Sequence, residues 1–149
     1  MASTKNIGIG NKPVAYACYS DKGADKLLGL ARKLSKGSRF VLLARDGKGL
    51  MRRILPAYAN SMIRYGEGSM RARSLQMEML LFIAGTMNIN KAIAECGARG
   101  GKFIAIADSQ ESFFAFRKSS GISEFRERRL SLDMDVASDV AVTELFEDR

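Results

Sequence analysis

Ten residues, Leu75 to Ala84 (LQMEMLLFIA), constrain this chain more than any other stretch. They are apolar nearly all round apart from Gln76 and Glu78, and a helix without a polar face has to be covered on every side. The segment is therefore expected as a central buried helix, with Ser74 as its candidate N-cap and Gly85 ending it. Glu78 goes inside with it. An unpaired carboxylate there would cost several kcal/mol, so Glu78 needs a partner. It is either a structural acceptor for neighbouring backbone N–H groups or an arginine, or a group that faces a binding partner.

The rest of the chain supplies the cover. Val14 to Tyr19 (VAYACY), Phe40 to Ala44 (FVLLA) and Lys102 to Ala107 (KFIAIA) read as short strands. Helical stripes come between and after them. Ala24 to Lys36 carries Leu27, Leu28, Ala31 and Leu34 at helical spacing, with Asp21 as cap and Gly37 as stop. Gly47 to Tyr65 places Met51, Ile54, Leu55, Tyr58, Met62 and Tyr65 on one stripe, with a kink or a break at Pro56. Ile89 to Cys96 is a short helix between Asn88 and Gly97, and Glu111 to Ser119, capped by Asp108 or Ser109, brings Phe113, Phe114 and Phe116 to the core. Val136 to Phe146 is the last predicted helix, while Gly66 to Arg73 (GEGSMRAR) has no periodicity and reads as a loop. This interleaving predicts an α/β (α+β) fold, a small mixed sheet covered by helices, as a single domain over 1–149.

Composition narrows the function. At 149 residues and 46% hydrophobic content the chain can bury a full core without disulfides or metal. Cys18 and Cys96 stand far apart in apolar stretches and are expected as buried thiols. No signal peptide is apparent in Met1 to Gly10, and the longest apolar run, Met79 to Ala84, is far short of the ~20 residues of a membrane span. A cytosolic protein with no membrane partner is expected. The net charge of +8 favours a polyanionic partner. Basic residues crowd Arg45 to Arg73, whereas the stretch after Leu132 is acidic.

There is no histidine, which removes the commonest general base and metal ligand and excludes serine–histidine and cysteine–histidine catalysis. Asp133 and Asp135 lie in a polar segment and read as a solvated turn or cap rather than a metal site. The stretch Gly97 to Lys102 (GARGGK) departs from a phosphate-binding loop: Cys96 stands where a glycine is needed, Phe103 stands where Ser or Thr is needed, and a helix runs into a strand instead of the reverse. No catalytic residue, metal, cofactor or small-molecule substrate is therefore expected. Arg71 and Arg73, on the loop before the central helix, are candidates to grip phosphates or stack on bases, against the plainer role of a solvated basic loop. Arg64 and Lys48 would extend that surface.

The run Ser74 to Gly97, SLQMEMLLFIAGTMNINKAIAECG, followed by GKFIAIADSQESFFAF, resembles the PRPK-binding protein family, the small KEOPS subunit that docks on the kinase-like subunit of that complex. The features that carry it are the apolar helix with Glu78, then Gly85, Ile89, Ala92-Ile93 and Gly97. It is clearest from about Arg71 to Gly121, and Ile122 to Arg149 matches loosely; the compact, basic, histidine-free chain looks more like archaeal than eukaryotic members. The resemblance implies a non-enzymatic subunit of a complex that makes threonylcarbamoyladenosine on transfer RNA. In archaeal members it implies a part in holding the 3′ CCA end. Carried over by position, RNA contact falls on Arg71 and Arg73. Kinase docking is placed on the apolar side of the last helix, Val136, Val140 and Leu145, against ordinary core packing. The rival functions are a stand-alone nucleotide-using enzyme and a generic basic RNA-binding protein.

Overall fold

The computed structural model describes residues 12–130. Three apolar runs form strands that bury side chains on both faces. β1 (Val14–Tyr19), β2 (Val41–Ala44) and β3 (Lys102–Ala107) alternate their side chains between two separate cores. From β3, Ile104 and Ile106 enter one core, and Phe103, Ala105 and Ala107 enter the other. β4 (Glu124–Arg128) completes a four-stranded sheet in the order β2-β3-β1-β4, antiparallel at every pairing. The chain is thus a mixed α/β fold with helices over a small sheet, as its sequence predicts.

Helices cover both faces. On one side lie α1 (Ala24–Leu34) and α5 (Gln110–Ser120); on the other lie α2 (Leu50–Glu67), α3 (Leu75–Ala84) and α4 (Ile89–Cys96). The all-apolar helix α3 packs against α2, α4 and β2, which cover most of it and leave Met77, Phe82 and Ala84 only partly buried. Leu75, Met79, Leu80 and Ile83 are each at most 2% exposed, and burying such a side chain contributes about 1.5–3 kcal/mol. The opposite core is aromatic. The rings of Tyr16 and Phe113 stack at 3.8 Å, Phe125 of β4 lies 5.4 Å from Phe113, and the Arg117 guanidinium sits 4.5 Å above Phe125.

The helix ends depart from expectation in instructive places. Ser74, Asn88 and Ser109 cap α3, α4 and α5 through their side-chain oxygens. Asp108 is buried instead: its carboxylate accepts the N–H of Phe40 at 2.8 Å and fixes the start of β2. Asp21 does not cap α1. The N-cap is Gly23, and the carbonyl of Gly100 accepts the Ala24 N–H at 2.6 Å. That helix ends at Ser35 rather than Gly37, and the Ser35 hydroxyl accepts the N–H of Val41 at 3.0 Å. Pro56 breaks nothing: α2 runs through it as one helix of 18 residues. A proline forfeits one backbone hydrogen bond, and the long packing contact of α2 with α3 outweighs that loss.

The two cysteines also differ. Cys18 is buried, and burial pushes its thiol up to about 12, while Cys96 is only partly covered, contrary to the expectation of two buried thiols. A thiol reagent at neutral pH should label Cys96 first and Cys18 only as fast as the protein opens. Equal rates by mass spectrometry on the native protein would contradict the burial of Cys18. Because the folded state holds Cys18 protonated, its contribution to stability is present below the ordinary thiol pKa and is lost as pH climbs toward about 12.

Candidate nucleic-acid interface

The loop 68–74 takes its shape from one buried carboxylate. Ser74 starts α3, which puts Glu78 on its first turn and within reach of the chain just upstream. Glu78 is 1% exposed, and its Oε1 accepts the backbone N–H groups of Arg71 and Ala72, both at 2.9 Å. Its Oε2 lies 3.8 Å from Nε of Arg64. The structural role expected of Glu78, an acceptor for backbone amides and an arginine, is therefore what the geometry contains.

Arg64 comes from the last turn of α2. Its guanidinium also covers the ring of Phe82 at 5.6 Å, so this residue braces the loop from beneath rather than presenting a free cation. Arg71 and Arg73 are exposed on the loop. Arg71 borders a groove of about 800 Å³ shared with Leu81, Phe82, Thr86, Met87 and Asn88. Met87 is 66% exposed, so the groove offers an apolar ledge beside a guanidinium. A planar base can lie on such a ledge while the arginine meets its phosphate. Glu78 borders the groove too, but its oxygens turn to the loop amides and Arg64.

Lys48 does not border this groove. It is exposed on the turn before α2, beside the Asp46–Arg128 pair at 3.3 Å, whereas Arg64 is at the far end of the same helix, roughly 25 Å away at 1.5 Å per residue. Val136, Val140 and Leu145 lie outside the described residues, as do Asp133 and Asp135.

The glycine-rich stretch after α4 is a packed turn. The Gly101 carbonyl accepts the Ser20 N–H at 2.8 Å, and Gly100 accepts that of Ala24. A side chain on Gly101 would run into the Ser20 carbonyl, and one on Gly97 would stand 2.6 Å from that of Ile93. Close approach of backbone to backbone accounts for these glycines. Among the described residues no three or more Cys, Asp or Glu side chains gather so as to hold a metal ion. No described helix is long and apolar enough to cross a membrane.

Sequence reasoning missed the basic groups around α4. Arg45 and Arg99 both donate to the Ala94 carbonyl, at 2.8 and 3.4 Å, and Arg53 donates to Ile83 O at 3.2 Å. The signal available was the arginine density around Arg45 to Arg53; the topology that brings Arg99 beside it was not visible in one dimension. No protein-family model matches the chain, and no curated protein matches its sequence.

Proposed function

We propose that this chain is a non-catalytic binding subunit that receives the single-stranded end of a transfer RNA at loop 68–74. In this reading it serves in a KEOPS-type complex, alongside a kinase-like subunit, in the cytoplasm. The observation that carries the RNA-binding part is the Glu78 carboxylate. By accepting two loop amides it holds the backbone of Arg71 at the rim of a groove with Phe82 and Met87, and a preorganised loop loses less entropy on binding than a mobile one. The kinase-like partner and the complex rest on the sequence resemblance alone, with Val136, Val140 and Leu145 as the docking side.

Electrostatic gripping of phosphates makes binding steeply salt-dependent. Transfer RNA should bind the purified chain with an affinity that falls as salt rises, and should bind more weakly once its CCA end is removed. Arg71→Glu combined with Arg73→Glu should weaken binding roughly tenfold or more, since each reversal replaces attraction to a phosphate by repulsion, with the association to a kinase-like protein retained. Fluorescence anisotropy over a salt series reads all of these. Affinity untouched by the double reversal would remove the loop from the RNA site. Indifference to the CCA end, with similar affinity for any polyanion, would favour the generic basic protein instead.

A further inference from the structure

Two arginines meet where α4 ends, with a third on the neighbouring helix, and helix capping accounts for only part of that. A helix C-terminus attracts a cation to its carbonyls, yet here Arg45 and Arg99 converge on a single oxygen, Ala94 O. Arg53 approaches from α2, anchored on Ile83 O. The Cys96 thiol senses the cluster. Burial raises its pKa, Arg53 and Arg45 both pull it back down, and Glu95 pushes it up. Among the described residues, none of the three arginines pairs with a carboxylate. Each guanidinium therefore keeps most of its N–H donors for another acceptor, and the like charges of Arg45 and Arg99, held on one oxygen, favour a bridging anion.

The cluster lies a short way from the groove at Arg71. Asn88 borders that groove and caps α4, while Ala94 and Cys96 mark the other end of a helix of 8 residues, about 12 Å long. Lys91 is exposed between them on the same short helix. Cations at both ends of the helix, with Lys91 between them, fit the phosphates of a flexible strand.

We infer that an RNA strand whose end lies in the groove continues along α4, and that Arg45, Arg53 and Arg99 hold phosphates beyond the groove. This rests on the RNA reading proposed above and assigns the next stretch of the strand.

The test uses the full chain and two RNA probes, a trinucleotide and a strand about ten nucleotides long, compared by competition binding over a salt series. Arg45→Gln with Arg99→Gln should weaken the longer strand roughly tenfold and lower its salt slope by about 0.7 for each phosphate no longer neutralised. Trinucleotide affinity should stay unchanged, which also shows that the variant is folded. Arg71→Glu with Arg73→Glu should weaken both probes. An unaltered affinity and slope for the longer strand would overturn the α4 path and leave the groove standing. Equal weakening of both probes in the Arg45/Arg99 variant would also overturn it, since those arginines would then act on the groove itself. Absence of binding by either probe to the unmodified chain would remove the proposed function together with this extension.

Discussion

Replacing Glu78 with alanine should remove about 3–5 kcal/mol of folding stability, the typical loss when one member of a buried, hydrogen-bonded charge pair is deleted. Two amide N–H groups, of Arg71 and Ala72, lose their acceptor, and Arg64 loses its nearest carboxylate. Each hydrogen bond to a charged group contributes about 1.5–3 kcal/mol, so the loop amides alone account for most of the loss. Denaturant unfolding gives the stability, and amide hydrogen exchange gives the loop. Arg71 and Ala72 should exchange markedly faster in a partly weakened Glu78→Gln variant, which keeps an acceptor oxygen but not the charge. In the RNA-binding role proposed above, affinity should fall in step with loop order. A Glu78→Ala protein with an unchanged denaturation midpoint and unchanged exchange at those two amides would mean that the carboxylate does not organise the loop.

The second large effect belongs to the aromatic core. Phe113 is fully buried, stacked on Tyr16 and within reach of the Phe125 ring. Phe113→Ala should cost about 3–5 kcal/mol through lost burial and a residual cavity. Phe113→Leu, which keeps most of the volume, should cost clearly less. Because Phe125 is held on β4 by this same stack and by Arg117, the pairing of β4 with β1 should loosen first, visible as early exchange of the β4 amides. Loss of the loop at Arg71 before β4 would contradict the separation of the two cores by the sheet.

Both cores are largely legible in the sequence, for a physical reason. β1, β2 and β3 are buried on both faces, so they appear as unbroken apolar runs, and α3 announces its central place by lacking a polar face. The misses are places where distant chain segments supply what local chemistry suggests would come from nearby. Asp21 is the obvious cap for α1, but a carbonyl some eighty positions away, Gly100 O, occupies that role. β4 reads EFRER and has no apolar alternation; it becomes a strand because β1 offers it a ladder and Phe125 a place in the aromatic stack.

The candidate site divides along the same line. Glu78 is legible because a carboxylate on an apolar helix must be satisfied, and Arg71 because a glycine-flanked loop precedes that helix. Arg64 reads in sequence as one more surface cation, whereas it spends its charge beneath the loop on Glu78 and Phe82. Lys48 stands off the groove because α2 runs unbroken through Pro56 and puts its whole length between the turn at Lys48 and Arg64.

The composition of β4 has a consequence for how copies of this protein coexist at high concentration. Glu124, Arg126, Glu127 and Arg128 alternate charge along β4, the outermost strand among the described residues. A foreign strand docking there would have to strip water from these groups, so the rim discourages the stacking of molecule on molecule that a bare apolar margin invites. Neutralising those four side chains should leave the protein folded yet promote slow, concentration-dependent fibre growth, read by thioflavin fluorescence over a concentration series.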